Sequence, residues 1–325
     1  MNKNNTPIVF LQASSLGNDM DLSIFDDLGQ VTYIENATND EVPGYLQGAE
    51  IAITNKNIFD QKTIDACPSL KLIALTATGT NNVDLDYCTK KGIKVANVAN
   101  YSTDGVAQLT VTMALALALH LKTYDEYVKS GHYVKDEQFS YFGLPFHNLS
   151  ALTWGIVGLG HIGSKVAEIA TSLGSYVIYT SLSGHDRSSV YERVDLDELL
   201  TQSDIISVHC PLTDRSYNLF NKSTFQKMKN TAILVNTARG AIVNEEDLKE
   251  AINNHEIYAA GLDTFKKEPL PLSSPLYQIE DQDRLILTPH VGWGSFEARD
   301  LLVKEVYRNI EAYLNGESRN IVNEK

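Results

Sequence analysis

Short runs of apolar residues alternate with amphipathic, helix-length segments along nearly the whole chain. Ten of these runs have the length and the β-branched composition of buried strands. They are Ile8–Leu11, Ile51–Thr54, Leu72–Thr76, Val95–Val98, Thr153–Val157, Tyr176–Thr180, Ile205–His209, Ile233–Asn236, Ala259–Leu262 and Leu285–Leu287. Helical patterns fill the gaps, and this alternation is typical of parallel sheets covered by helices on both faces.

The strands fall into two sets, which indicates an α/β fold of two doubly wound parallel-sheet, Rossmann-like domains. The inner domain is expected over residues 102–294 and begins with one long helix, from Asp104 to Lys129. A last amphipathic helix, about Ser295 to Asn315, lies beyond it. We expect this helix to return to the first domain, so that the outer domain is discontinuous and comprises residues 1–101 plus 295–325.

The composition agrees with a two-domain globular protein and limits its partners. A chain of 325 residues exceeds what one hydrophobic core usually serves. Its 27 basic and 41 acidic residues give a formal charge of −14. With this charge and no run of Lys or Arg, the chain is not expected to bind nucleic acid or an anionic membrane.

Cysteine usage and the apolar stretches predict a cytoplasmic protein. The three cysteines, Cys67, Cys88 and Cys210, form no CxxC pair and no metal-binding spacing with histidines, so no metal site is predicted. Such a sparse set is typical of a reducing compartment. The strand Ile8–Leu11 follows the N-terminus without a signal-peptide pattern, and Leu109–Leu119 is too short to span a bilayer and is expected to be a buried core helix.

The sharpest motif is a GxGxxG sequence at Gly158–Gly163, directly after one predicted strand and at the start of a helical pattern. This context makes it a dinucleotide-binding fingerprint rather than an ordinary glycine turn. Gly158 permits the tight turn, Gly160 lets the backbone approach a pyrophosphate, and Gly163 allows close packing of helix on strand. The residues predicted to bind cofactor here are Gly158, Gly160, His161, Ile162 and Gly163.

One part of the fingerprint is missing. An acidic residue is expected about 20 positions on, where it would hold the adenosine ribose hydroxyl, but the next strand ends at Thr180 and Ser181. Ser181 would not repel a ribose phosphate, and His185 and Arg187 follow it. These two side chains either pair with such a phosphate or are plain exposed loop residues. NAD and NADP therefore both stay open as the cofactor.

Three polar segments each follow a predicted strand. They carry Arg239, Glu268 and His290, and the carboxyl ends of parallel strands face the ligand crevice. Reduction of a ketone needs a proton at its oxygen, and a histidinium stabilised by a carboxylate is a suitable acid near neutral pH. A guanidinium can grip a substrate carboxylate and polarise the ketone. Each residue alone is more often structural, but together with the fingerprint they predict a catalytic trio.

These motifs resemble those of the D-isomer-specific 2-hydroxyacid dehydrogenases, over nearly the whole chain. The resemblance implies catalytic roles for Arg239, Glu268 and His290 and a reaction between NAD(P)H and a small 2-oxo acid. It also implies an inner dinucleotide-binding domain, an outer substrate-binding domain and a homodimer. By the same resemblance, further cofactor contacts are Cys210, Pro211, Thr237, Ala238 and Asp263, besides Ser181. Asp263 is similar to the acidic residue of the family that contacts the nicotinamide carboxamide.

Within the family the chain is most similar to glycerate dehydrogenases and hydroxypyruvate reductases. This likeness rests on Ala77–Asp84, on the Tyr101–Thr103 turn and on the spacing from His290 to Trp293. It implies hydroxypyruvate or glyoxylate as substrate, giving D-glycerate or glycolate. The substrate residues implied are Thr78, Gly79 and Thr80, through backbone N–H groups, together with Arg239 and His290.

Two alternatives stay open from the sequence. The same fold also serves NAD-sensing regulatory proteins, which need a partner groove that no motif here reveals. A family dehydrogenase with another substrate, such as formate or phosphite, would carry the same fingerprint.

An aromatic loop, Phe139–Phe146, directly precedes the fingerprint strand. So much apolar surface in a loop with glycine and proline is expected to be buried against a second subunit. Phe142 is expected to pack in that interface, with insertion into the active site of the partner as the alternative.

Overall fold

The computed structural model describes residues 5–136 and 139–324, which form two compact units. The first unit runs to Ser102 and resumes at Gly294, and the second is Thr103–Trp293. Each unit is built on one fully parallel sheet. The α/β class with two doubly wound, Rossmann-like sheets is therefore confirmed.

The first unit has a five-stranded sheet in the order β2-β1-β3-β4-β5. Its strands are β1 (Pro7–Phe10), β2 (Gln30–Tyr33), β3 (Ile51–Thr54), β4 (Leu72–Leu75) and β5 (Lys94–Ala96). The helices between them are α1 (Val42–Tyr45), α2 (Gln61–Asp65) and α3 (Leu85–Lys91). All residues of β3 and β4 are buried, as expected for central strands with helices on both faces.

The second unit has a seven-stranded sheet. Its helices are α4 (Thr103–Ala118), α5 (Leu121–Lys129), α6 (His132–Lys135), α7 (His161–Ser172), α8 (Leu196–Gln202), α9 (Lys222–Phe225) and α10 (Glu245–Asn253). Its strands are β6 (Thr153–Val157), β7 (Tyr176–Thr180), β8 (Glu192–Arg193), β9 (Ile205–Val208), β10 (Ile233–Asn236), β11 (Ala259–Leu262) and β12 (Leu285–Leu287). The order β8-β7-β6-β9-β10-β11-β12 reverses direction between β6 and β9. In such sheets ligands bind at this reversal, at the carboxyl ends of the strands.

The last helix, α11 (Phe296–Leu314), packs in the first unit against β4 and the 3-10 turn Ser23–Leu28. The side chain of Ser295 caps it by accepting a hydrogen bond from the N–H of Ala298.

The single long helix predicted from Asp104 to Lys129 is wrong. The chain breaks between α4 and α5, which meet at an angle of 60°. His120 lies at the break with a left-handed backbone (φ 52°), and its ring nitrogens contact the Pro145 carbonyl oxygen (2.9 Å) and the Tyr258 hydroxyl (2.6 Å). These partners are distant in sequence, so helical periodicity did not reveal the break.

Among the described residues no single helix is long and apolar enough to cross a membrane, although the bent pair α4–α5 passes that test by length and composition.

Candidate active site

The glycine turn joins β6 to α7 at the point where the strand order reverses. Gly158 has a left-handed backbone (φ 98°), and a side chain there would lie 2.7 Å from the Cys210 nitrogen. A side chain at Gly163 would lie 2.2 Å from the Gly158 carbonyl oxygen. Both positions therefore require glycine, because the opposing atoms belong to the backbone. The result is a tight turn that leads from β6 directly into α7.

A cavity of about 1000 Å³ opens at this turn. Its wall comes from the glycine turn and first part of α7, from the loop after β7, from the loop after β9, and from Thr103. The lining residues are Thr103, Gly158, Leu159, Gly160, His161, Ser164, Lys165, Glu168, Ser181, Leu182, Ser183, Arg187, His209, Cys210, Pro211, Thr213, Asp214 and Arg215. This volume is at the upper end of the usual range for small-molecule and cofactor sites.

The cavity fits a dinucleotide. A Cβ atom at Gly160 would meet no atom within 4 Å, so this position leaves open space directly at the start of α7. The first backbone N–H groups of this twelve-residue helix and its dipole favour an anion there. A pyrophosphate is such an anion, and Gly158, Gly160 and His161 would cradle it.

The predicted cofactor residues divide into two groups. Gly158, Gly160, His161, Ser181, Cys210 and Pro211 line the cavity. The others have structural contacts: Ile162 packs on the core of the sheet, Gly163 touches the turn, and the Thr237 hydroxyl contacts that of Thr110 at 2.9 Å. Ala238 packs against the other core cluster of this unit. For Ile162, Gly163, Thr237, Ala238 and Asp263, contact with cofactor stays a prediction.

His209 is a cavity residue that sequence reasoning missed. The residue is partly exposed, but its Nε2 is buried, and this loss of hydration lowers the pKa of the ring to about 3, so it is neutral at physiological pH. Its Nε2 has no hydrogen-bond partner among residues 5–136 and 139–324. The position directly after β9 was the only available signal, since strand ends in this sheet face the ligand.

His290 and Glu268 form a contact pair in the second unit. His290 Nδ1 lies 2.8 Å from Glu268 Oε2, and Glu268 Oε1 accepts a hydrogen bond from the Phe265 N–H at 3.1 Å. Both side chains are partly exposed, at 24% and 31%. The imidazole is thus oriented by its Nδ1, which leaves Nε2 as the nitrogen to meet a ligand.

The backbone at His290 is unusual. Its φ of 56° is left-handed, a conformation that few residues other than glycine adopt. Asp263, which is buried, holds the surrounding loop: Oδ1 accepts from the Thr288 hydroxyl (2.6 Å) and the Val291 N–H (2.8 Å), and Oδ2 accepts from the Gly292 N–H (2.8 Å). These bonds fix the segment that carries His290. Strained backbone held in place by its surroundings is typical of functional sites.

Arg239 follows β10, the neighbour of the strand that leads to Glu268. Its guanidinium donates to the Ala238 carbonyl oxygen at 2.7 Å, and its own carbonyl oxygen accepts from the buried Asn236 side chain at 2.9 Å. Because β10, β11 and β12 are adjacent, their carboxyl ends bring the segments of Arg239, Glu268 and His290 to one edge of the sheet. The structure brings His290 and Glu268 into direct contact and puts Arg239 on a neighbouring strand end.

The segment Thr78–Thr80 lies in the first unit, after β4. The Thr78 hydroxyl donates to the Val98 carbonyl oxygen at 2.7 Å, and Asn97 donates to the Thr78 carbonyl oxygen at 2.7 Å. These bonds fix the backbone of Thr78, directly before Gly79 and Thr80. Their role in binding a substrate carboxylate stays a prediction.

Comparison with known proteins agrees with this geometry. Residues 111–292 match the family described as "D-isomer specific 2-hydroxyacid dehydrogenase, NAD binding domain". The chain is 37% identical over 316 residues to a glycerate dehydrogenase of Methylorubrum extorquens, which covers 97% of this chain and 98% of that protein. It is 33% identical over 312 residues to a hydroxypyruvate reductase of Blautia hydrogenotrophica, covering 94% and 95%.

A solved structure is also similar over the full length. The D-lactate dehydrogenase of Aquifex aeolicus, solved with NAD and lactic acid, superposes with a TM-score of 0.85 at 26% identity and covers 98% of this chain and 99% of that one. The match spans both parallel-sheet units rather than the cofactor-binding unit alone.

Proposed function

The chain belongs to the D-isomer specific 2-hydroxyacid dehydrogenases, and from this membership we propose that it reduces hydroxypyruvate or glyoxylate, giving D-glycerate or glycolate, with NAD(P)H. The observation that carries the proposal is the 2.8 Å contact between His290 Nδ1 and Glu268 Oε2, on the unit that has the dinucleotide turn. The names of the two curated relatives support this substrate class. We assign dinucleotide binding to Thr103–Trp293 and substrate binding to the first unit.

The proposed acid is His290. Bound NAD(P)H supplies a hydride to the carbonyl carbon of the substrate. The imidazolium of His290, held at Nδ1 by Glu268, donates its Nε2 proton to the carbonyl oxygen. The carboxylate of Glu268 favours the protonated ring and keeps it in one orientation. In the reverse direction the neutral ring accepts the proton of the hydroxy acid.

Arg239 is proposed to bind the substrate carboxylate and to stabilise negative charge that develops on the carbonyl oxygen. A guanidinium stays protonated at all physiological pH values and presents several N–H donors in one plane. One of them is used by the Ala238 carbonyl oxygen, which orients the group and leaves others for a ligand. A 2-oxo acid offers two acceptors, a carboxylate and a ketone, and so matches this donor set.

A substrate panel tests the proposed function. NADH and NADPH oxidation is measured with hydroxypyruvate, glyoxylate and pyruvate, and reduction of NAD+ and NADP+ is measured with formate and phosphite. We expect the highest kcat/KM with hydroxypyruvate or glyoxylate. Higher kcat/KM with formate or phosphite would replace the proposed substrate, and binding of cofactor without turnover of any compound would favour a regulatory protein.

Glu268→Gln keeps the shape of the side chain but removes the charge that favours the imidazolium. Reduction requires protonated His290, so the alkaline limb of its pH profile should move to lower pH, and the loss of activity should be larger at pH 7.5 than at pH 6. The check is kcat for reduction measured from pH 5.5 to 9. An equal loss at every pH would contradict this role of the carboxylate.

We propose in addition that the chain forms a homodimer through the aromatic loop Phe139–Phe146. Phe139 is 96% exposed and Phe142 is 84% exposed. The loop is nevertheless ordered on its inner side, where the rings of Tyr127 and Tyr141 stack with centroids 4.0 Å apart. Exposed apolar side chains on such an ordered platform are typical of a subunit interface.

Sedimentation of the wild type at micromolar concentration should therefore show a dimer. The double variant Phe139→Ser and Phe142→Ser should shift the equilibrium toward monomer by at least about tenfold, because each buried phenylalanine contributes roughly 1.5–3 kcal/mol. Leu272→Ser is the matched control, since Leu272 is 91% exposed but lies outside the loop. A wild-type monomer, or a dimer that both changes leave intact, would contradict this interface.

A further inference from the structure

The turn Thr78–Thr80, which follows β4, is tied to the residues directly after β5. The Thr78 hydroxyl donates to the Val98 carbonyl oxygen at 2.7 Å, and the Asn97 side chain donates to the Thr78 carbonyl oxygen at 2.7 Å. The Val98 N–H donates in turn to the Ala77 carbonyl oxygen at 3.0 Å. The position of the turn therefore depends on the position of Asn97.

Asn97 is held in place by the C-terminal part of the chain. Asn309, in α11, is 1% exposed, and its Nδ2 donates to the Asn97 carbonyl oxygen at 2.9 Å, although the two residues are 212 positions apart. The Asn97 N–H donates to the Asn320 carbonyl oxygen at 3.3 Å. Since β5 is the edge strand of its sheet, these contacts take the place of a further strand for the backbone of Asn97.

Two donors on the other side of Asn309 fix the direction in which its amide faces. Its Oδ1 accepts from Arg319 Nη1 at 2.5 Å and from the Asn320 side chain at 2.9 Å. A guanidinium has only donors, so the Asn309 atom that faces it must be the oxygen, and the nitrogen is left to face Asn97. Arg319 is itself paired with Glu305 of α11 at 2.5 Å. This ion pair therefore determines which atom of Asn309 reaches Asn97.

The C-terminal residues also contact β5 at its other end. Asn323 Oδ1 accepts a hydrogen bond from the Val95 N–H at 2.8 Å, and its Nδ2 donates to the Ile93 carbonyl oxygen at 2.8 Å. These bonds resemble those of Asn309, because in both cases a side-chain amide donates to a backbone carbonyl next to β5. They lie at the amino end of the strand, however, whereas the turn lies beside its carboxyl end.

We propose that Arg319, Asn309 and Asn97 form a relay of positioning residues that holds the turn Thr78–Thr80 in the geometry that binds the substrate carboxylate. The inference rests on the proposed function, since it requires the backbone N–H groups of this turn to meet the substrate. Backbone donors bind an anion best when they are already ordered, because ordering a loop at the moment of binding costs entropy. The relay therefore sets substrate affinity through the turn alone.

The test compares Asn309→Asp with Asn323→Asp. Each change replaces an amide donor by a carboxylate oxygen of the same shape opposite a backbone carbonyl, but only Asn309 belongs to the relay. Asn309→Asp keeps its bond with Arg319, whose guanidinium offsets the added charge. It should raise the KM of the best 2-oxo acid of the substrate panel by about tenfold. The turn is proposed to bind the ground state and the transition state alike, so kcat should change by less than about twofold.

The control should behave differently. Asn323→Asp should lower the thermal midpoint, because it also loses a hydrogen bond of the same unit, but it should leave KM within about twofold of the wild type. The dissociation constant of the reduced cofactor should change by less than about twofold in both variants, because both residues lie outside the unit that carries the dinucleotide turn.

Further variants separate the relay from a general loss of stability. Asn97→Ala removes the bond to Thr78 without adding a charge and should raise KM by about as much as Asn309→Asp. The two changes together should raise KM by less than the product of their separate effects, because they interrupt the same relay. Arg319→Lys keeps a donor for Asn309 and should stay near the wild-type KM, whereas Arg319→Ala should raise it by about fivefold.

Deuterium uptake by the peptide that contains Thr78–Thr80 gives a readout that needs no substrate. Uptake should be at least about tenfold faster in Asn309→Asp than in the wild type and in Asn323→Asp, because the turn is released. Wild-type uptake in Asn309→Asp would overturn the relay even if no 2-oxo acid is turned over, so this failure is distinct from failure of the proposed function. Faster uptake with an unchanged KM, or an equal rise of KM in Asn323→Asp, would also overturn it.

Discussion

His290→Ala should lower the turnover of hydroxypyruvate under saturating reduced cofactor by about 10²–10⁴-fold, the usual effect of removing a general acid. The physical reason is the geometry of the pair. Glu268 engages Nδ1 at 2.8 Å, so the ring is oriented to deliver its proton from Nε2. Cofactor affinity should change by less than about twofold, since the cavity lies at a different part of the sheet edge.

The control for this experiment must separate chemistry from backbone strain, because alanine disfavours the left-handed conformation of His290. His255→Ala serves this purpose, since His255 is an exposed histidine of the same unit with φ 59°. His290→Asn is a second variant, because asparagine tolerates this backbone but cannot act as the acid. Near-wild-type turnover in His290→Asn would remove His290 from the mechanism.

The sequence was sufficient to find the residues that follow the strands of the second sheet. Buried parallel strands are short apolar runs, so the sequence shows where each strand ends. Because ligands bind at the carboxyl ends of such strands, the residues that follow them are the candidates for the site. The pairing of His290 with Glu268 and the strand ends around Arg239 follow from this. Strands β2 and β8 were missed because each is at an edge of its sheet and carries polar, exposed residues.

What the sequence could not reveal depends on contacts between distant loops. The anchoring of the His290 loop by Asp263 joins residues 25 to 29 positions apart. The hydrogen bond from Arg215 to Leu182 and the bend at His120 likewise depend on contacts between residues far apart in sequence. In each case the packing of whole helices and strands determines which residues meet, and a local sequence pattern does not indicate such contacts.

Gly240→Ala should be strongly destabilising and should also reduce turnover. A Cβ atom at Gly240 would lie 1.9 Å from the carbonyl carbon of Phe265 and 2.4 Å from the Lys266 nitrogen, so the whole segment would have to move. Overpacking usually costs about 1–3 kcal/mol, and the upper end applies because the opposing atoms are backbone. For a unit of this size the thermal midpoint should fall by roughly 5–10 °C.

The loss of turnover follows from the same contact. The Phe265 N–H holds Glu268 Oε1, so displacement of Phe265 carries the carboxylate away from His290, and a shift of about 1 Å can cost about 10²-fold in rate. Thermal unfolding and kcat well below the midpoint should both be measured, with Gly44→Ala as the control. A Cβ atom at Gly44 meets nothing within 4 Å, and this glycine lies in α1, so that variant should keep or slightly raise the midpoint. An unchanged midpoint and an unchanged kcat in Gly240→Ala would mean that the Phe265–Glu268 loop can shift freely, and rigid support of the acid would then have to come from the Asp263 anchor alone.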